Sequence, residues 1–353
     1  MNRKKLFLYM LLLATLFISA CSDDDNPIDD GIRSTKALLI LSEGKWNENN
    51  STLSRYDLVE KKLDKDYFLT VNKRGLGDTG NDMIQYGSKI YVVVNVSSTI
   101  EVLDAATGKS IRQIDMKKED GKAKEPRQVV SHKGKVYVTS YDQTVTRIDT
   151  VSLAIDGSVK VGMNPEDIII KNNKLYVANS GFSYDNTVSV IDIESFKEEK
   201  KIEVGSNPVN LGVDSQGDVY IALMGTYGDN PEAPSFKRID SKTEEVKTIG
   251  TVKSPGRFVI YNNKAYIING TDKTVTVYDC LEEKVESDNF IKDDTKITSF
   301  PYSIAVDEKS GEFFISETDY VTPGTVYCFN KEGKLQYRIS SVGINPTAVI
   351  TLR

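Results

Sequence analysis

From Lys36 to the C-terminus, apolar and polar residues alternate in short runs, and no long stretch keeps a 3.6-residue period, so the pattern predicts strands almost throughout. One apolar run recurs: "KIYVVVN" at Lys89, "KVYVTSY" at Lys135, "KLYVANS" at Lys174, "DVYIALM" at Asp218, "KAYIING" at Lys264 and "EFFISET" at Glu312, with a diverged first copy, "KALLILSEG", at Lys36. Each precedes a second run, "TLSRYD", "TIEVLD", "TVTRID", "TVSVID", "SFKRID", "TVTVYD" or "TVYCFN", whose last residues, Asp57 to Asn330, lie 47, 45, 43, 48, 39 and 51 residues apart. All-strand content at a period near 45 is the length of one four-stranded propeller blade, and seven copies predict a seven-bladed ring.

A third phrase opens each unit: "GNDMIQ", "EPRQVV", "NPEDII", "NPVNLG", "SPGRFV", "FPYSIA" and "NPTAVI". Proline suits the start of an inner strand, where its missing N–H is no loss. The last copy, at Asn345, has no outer strands after it, whereas the first unit begins directly at "KALLIL" without an inner strand. The C-terminal strand is therefore expected to become the inner strand of the N-terminal blade and close the ring, removing two open edges. The fold class is all-β, with the propeller over residues 35–353. The Asp that ends each second run starts a turn, as in "DAATGK", and reads as structural.

With strands named A to D from the axis outward, chain direction separates the loops into two faces. The A-to-B turns ("SHKGK", "KNNK", "YNNK") are short and polar. The B-to-C loops ("SEGKWNENNS", "NSGFSYDN", "LMGTYGDNPEAPS", "SETDYVTPG") vary in length and carry aromatics, which marks the binding face of a rigid scaffold. The candidate ligand-binding residues there are Trp46, Asn47, Asn49, Asn81, Arg127, Tyr141, Asn179, Phe182, Tyr184, Tyr227, Arg257, Phe300, Tyr302 and Tyr320, with Asn186 and Asn230 nearby. Aromatic platforms among amides suit a large, neutral, amide-bearing or hydroxylated ligand. Packing between blades is the competing role for any one ring, and pairing with loop carboxylates the competing role for the two arginines.

Catalytic signals are thin. The single histidine, His132, falls at an A-to-B turn on the opposite face, and there is no GxSxG, Cys/His pairing or metal-spaced cluster. Glu43, Asp82, Glu166, Glu317 and Asp319 on the loop face could hold a divalent ion as in propeller lactonases; scattered solvated acids are the alternative. No catalytic residue, resident metal or cofactor is assigned.

The ends change the picture of where the protein works. Residues 1–20 have a basic stub, an apolar run and "ISAC", which read as a lipoprotein signal with cleavage before Cys21 and lipidation of that residue. Residues 21–34, "CSDDDNPIDDGIRS", form an acidic tether too polar to bury a core. It resembles the export signal of outer-surface lipoproteins in Bacteroidetes, which implies an outer-membrane, lipid-anchored protein facing the exterior. Without the signal the chain has 42 basic and 51 acidic side chains, a net charge of −9, which disfavours nucleic acid. Cys280 and Cys328 occupy different repeat positions and are expected to stay unpaired.

The opening "LLILSEGKWNENNSTLSRYD" with seven "KxYVxN...TVxVID" units resembles the BtuG family, surface lipoproteins of gut Bacteroidetes within the wider YncE-like propellers. The resemblance implies capture of cobalamin or another corrinoid and delivery to a TonB-dependent outer-membrane transporter. It also implies membrane contact through the lipid anchor alone. Two other classes stay open: a propeller hydrolase or lactonase, and a protein- or glycan-binding propeller of another uptake complex.

Overall fold

The computed structural model of the protein describes residues 35–353; the signal, Cys21 and tether lie outside the described residues. Among the described residues twenty-eight strands form seven four-stranded antiparallel sheets, six of them ordered from inner to outer strand along the chain. Blades 2 to 7 begin at inner strands Gly80–Tyr86, Pro126–His132, Pro165–Lys171, Pro208–Val213, Pro255–Tyr261 and Phe300–Asp307. Blade 1 takes its inner strand, Pro346–Leu352, from the C-terminus, which runs antiparallel to Ala37–Ser42 from Ala37 opposite Leu352 to Ser42 opposite Pro346. The ring therefore closes as the complementary ends predict.

A gradient of burial explains why the second-strand phrase dominates the sequence. That strand lies between the faces of two neighbouring blades and needs apolar side chains on both sides. Ala37–Ser42 and Val219–Leu223 are buried at every position. The outer strand Lys197–Glu203 instead alternates exposed with half-buried residues. The apolar clusters accordingly span blade interfaces, as where Leu39, Leu41 and Leu53 of blade 1 meet Met83, Ile90 and Val92 of blade 2.

The turn acids are structural. Asp192, for example, accepts from the N–H and Oγ of Ser195, both at 2.7 Å, and Asn330 takes the same place in blade 7, accepting from Lys334 N–H at 2.9 Å. Cys280 and Cys328 are free and buried, and burial pushes both thiols up to about 12. They are packing residues.

Besides a single 3-10 turn at Gly181–Ser183, one α-helix among the described residues departs from the all-strand expectation. The outer strand of blade 1, Lys62–Asp64, has three residues, and a helix, Tyr67–Asn72, follows it. Its Phe68 is buried in the cluster between blades 1 and 2. Asn72 anchors it to blade 2, donating to Gly108 carbonyl at 3.0 Å and accepting from Ser110 N–H at 2.8 Å. A six-residue apolar run does not distinguish strand from helix by period, so only the packing decides.

Candidate functional site

Every inner strand slips register just after its opening Pro or Gly, between Gly80 and Asp82, Pro126 and Val129, Pro165 and Ile168, Pro208 and Asn210, Pro255 and Phe258, and Pro301 and Ser303, and at Pro346 in blade 1. A bulge leaves backbone groups unpaired and re-aims side chains. Some of those N–H groups are satisfied from the blade before, by the second residue after the Pro or Gly. Asp82 accepts from Val129 N–H at 3.0 Å, Asp167 from Leu211 N–H at 2.7 Å, and Asn210 from Phe258 N–H at 2.7 Å. The first residue after the Pro or Gly is Thr347, Asn81, Arg127, Glu166, Val209, Gly256 or Tyr302 in successive blades, and of these Thr347, Asn81, Glu166 and Val209 line the axial cavity.

Five of those blades are joined by one hydrogen-bonded arc. Tyr302 donates to Glu43 at 2.6 Å, and Asn81 donates to the other Glu43 oxygen at 3.1 Å. Arg127 donates to Asn81 Oδ1 at 2.7 Å and, through Nε and Nη2, to one oxygen of Glu166 at 3.0 and 2.9 Å. Tyr141 donates to the other Glu166 oxygen. Burial works against the Arg127 charge, but Glu166, Tyr141 and Glu43 outweigh it, so its pKa rises. Burial is also the main reason that the Tyr141 and Tyr302 hydroxyls are raised, with a carboxylate beside each adding to it.

Trp46 sits on a braced loop and not in a core. The N–H groups of Asn47 and Asn49 donate to the two oxygens of Asp78 at 3.2 and 3.1 Å, with both asparagines in the left-handed region. Lys45 N–H donates to Asn50 Oδ1 at 2.8 Å, and Asn345 Nδ2 donates to Gly44 carbonyl at 3.2 Å. Gly44 has φ +79°, and a Cβ there would lie 2.2 Å from Asn50 Oδ1. The loop thus holds an indole that is 74 % exposed. Tyr184 and Tyr227 are likewise mostly exposed, and Phe182, Phe300 and Tyr320 about half.

The rings form two groups. Phe182 meets Tyr141 edge-on at 5.1 Å, and Arg127 lies 4.9 Å above the Tyr141 ring. On the other side Tyr320 contacts Phe300 and Tyr302 at 6.0 and 5.9 Å, and Arg257 lies 5.5 Å above Tyr302. Gly181, Phe182 and Ser183 all have positive φ. For Phe182 this conformation carries strain, of the kind that surrounding structure retains at binding sites. Ser183 is anchored to blade 5 by donating to Gly225 carbonyl at 3.1 Å.

Beneath the mouth is an axial cavity of about 460 Å³, lined by Asp82, Gln128, Asp167, Asn210, Arg257 and Ser303 among others. Burial pushes Asp82 up to about 7, with Asp167 adding to the rise while the Val129 N–H and Arg257 oppose it. Asp167 is raised for the same leading reason. Between the ordinary carboxyl range and about pH 7 the folded protein holds a proton on Asp82 that the unfolded chain gives up, so stability falls as pH rises through that window. Asp82→Asn keeps an acceptor for Val129 and removes the charge. It is expected to stabilise the protein at pH 8 by up to about 4 kcal/mol, with the gain vanishing near pH 4. Urea unfolding at the two pH values checks this, and a gain that is equal at both would sink it.

The other residues singled out from sequence fall differently. Asn179 is fully buried, accepting from Gly162 N–H at 3.1 Å and donating to Thr187 and Ser189 at 3.0 and 2.9 Å. It braces the loop face from below and offers no surface. Asn81 is also buried, as a link in the arc. Arg127 is an ion-pair partner of Glu166 and is not free. The five candidate metal-binding carboxylates do not converge. Glu317 accepts from Thr298 and Ser299 N–H and from Tyr327. Asp319 accepts from the Thr322 N–H and hydroxyl and from the Val321 N–H, which hold its carboxyl down at about 2. Among the described residues no group of three or more His, Cys, Asp or Glu is placed to hold a metal ion. His132 ends the inner strand of blade 3 at the opposite face. Asp78 and Glu43 hold the Trp46 loop and the arc; the sequence does not mark either as a hub, because the groups each one joins come from different blades.

No protein-family model matches the chain, and no curated protein matches it. Solved structures show the fold. A hydrazine synthase chain from Kuenenia stuttgartiensis superposes with TM-score 0.61 at 17 % identity, over 76 % of this chain and 88 % of that one. The computationally designed Ika8 protein gives 0.57 at 14 %, over 87 % and 88 %. Apo AztD from Citrobacter koseri gives 0.55 at 11 %, over 90 % and 97 %. At these identities the likeness is one of architecture.

Proposed function

We propose that the protein is a non-enzymatic capture protein that binds a large, amide-rich, partly apolar ligand on its loop face, a corrinoid such as cobalamin being the ligand class that best fits. The observation that carries this is the rim of exposed aromatic rings, Trp46, Phe182, Tyr184, Tyr227, Phe300 and Tyr320, around a polar cavity. Six large rings left in water on one face of a rigid ring favour an apolar partner. The surrounding polar groups suit amide donors and acceptors. No covalent step is needed, and contacts from several blades supply the affinity.

The lipoprotein signal read from residues 1–20 supports an outer-membrane location for this capture role, from which the protein would pass its cargo to a TonB-dependent transporter. Titration calorimetry of the purified protein with cyanocobalamin tests the ligand. Saturable one-to-one binding is expected, and no heat together with no change in the corrinoid spectrum at micromolar concentration would end the reading. Trp46→Ala is expected to weaken binding by about tenfold, the scale of an aromatic anchor, with the melting temperature nearly unchanged because the indole supports no core. Unchanged affinity with a lowered melting temperature would make Trp46 a structural residue.

A further inference from the structure

The two arginines at the axis are not equivalent. Arg127 is spent on Glu166 and Asn81. Among the described residues Arg257 makes one hydrogen bond, Nη1 to Thr347 at 3.2 Å, and no ion pair. A guanidinium carries five donors, so most of Arg257's capacity is unused while its side chain lines the cavity. The arc over the mouth runs through blades 7, 1, 2, 3 and 4. Blades 5 and 6 contribute only Val209 and Gly256 at the corresponding positions, so the arc stays open beside Arg257, and the bond between these two blades there is the one from Phe258 N–H to Asn210 at 2.7 Å.

We propose that this cavity is a subsite for one neutral amide-bearing arm of the ligand, whose carbonyl accepts from Arg257 and whose N–H groups donate to the carboxyl oxygens of Asp82 or Asp167. The inference deepens the capture function above and rests on it. Charge selects the arm. Arg127 is neutralised by Glu166, and Arg257 faces two carboxyl groups across the cavity, so the walls hold no surplus positive charge for an anion. A cation would meet Arg257. A primary amide presents an acceptor and a donor together and requires no change of protonation. Size selects in the same direction, since about 460 Å³ admits a side arm but not a macrocycle. The bulk of the ligand then rests on the aromatic rim while the arm fixes its orientation.

The test has two parts. In the first, wild type and Arg257→Gln are titrated with cyanocobalamin at pH 8. The variant is expected to bind about tenfold more weakly, the scale of hydrogen bonds to a charged group, with a melting temperature within about 2 °C of wild type. In the second, the Nε–H resonance of Arg257 in the wild-type protein, assigned by its loss in Arg257→Lys, is followed with malonamide and with malonate. Malonamide is expected to move it and malonate not. The proposal falls if Arg257→Gln binds as tightly as wild type, if malonate shifts the signal more than malonamide, or if neither shifts it. If cyanocobalamin fails to bind while malonamide still moves the signal, the corrinoid assignment falls and the amide subsite stands.

Discussion

A chain that ends at Asn345 is expected not to fold to a stable monomer. Removing residues 346–353 takes the inner strand from blade 1 and leaves Ala37–Ser42, buried at all six positions, with an unpaired edge. It also removes the Pro346 carbonyl, which accepts from Ser303 at 3.1 Å and Ser316 at 2.6 Å, and Thr347, which donates to Asn81 carbonyl at 3.1 Å. The loss therefore reaches blades 7 and 2 as well as blade 1. A stability margin of about 5–15 kcal/mol does not survive the loss of a whole strand at the closure point, and the exposed apolar edge is a template for association. Far-UV circular dichroism on heating and size-exclusion chromatography read this directly. A monomer melting cooperatively within about 5 °C of the full chain would overturn the closure argument.

The second large effect is expected at the Arg127–Glu166 pair. Arg127→Met leaves Glu166 in the mouth of the axis with Tyr141 as its remaining side-chain partner and cuts the arc at Asn81. The two side chains are 16 and 14 % exposed, and removing one member is expected to cost about 3 kcal/mol, the lower end for a buried pair, because the other charge is left uncompensated. Pairing Arg127→Met with Glu166→Leu is expected to recover much of that loss, since two apolar side chains leave no orphaned charge. Urea unfolding of the two single variants and the double variant closes the cycle. A single-variant cost below about 1 kcal/mol would mean that solvent in the axial mouth screens the pair.

The two predictions draw on different kinds of information. Ring closure is legible in the chain because it rests on a repeat: a unit without an inner strand at one end and an inner strand without a unit at the other. The assignment of loops to faces is legible for the same reason, since antiparallel order fixes direction. The Arg127–Glu166 pair is not, because its partners are 39 residues apart in sequence and meet only when neighbouring bulged strands converge on the axis. The bulges follow the same Pro and Gly that mark the strand starts, but composition does not show that the register slips there. Asn179 shows the converse. Its place in a loop-face phrase suggested ligand contact, yet the Asn179 amide is consumed by Gly162, Thr187 and Ser189. The helix Tyr67–Asn72 was hidden because a short apolar run has too few turns to display a period.

By itself the sequence determined the all-β class, seven blades, the order of strands, the closing strand, and which face carries Trp46, Tyr184 and Tyr227. These follow from local alternation and repetition, where each residue's burial depends on its own strand. Only the tertiary structure decided which face residues are free and which are committed, separating Arg257 from Arg127 and exposed Trp46 from buried Asn179. That distinction depends on which blades' side chains meet at the axis, and it is set by packing between units that the chain brings together only when the ring is closed.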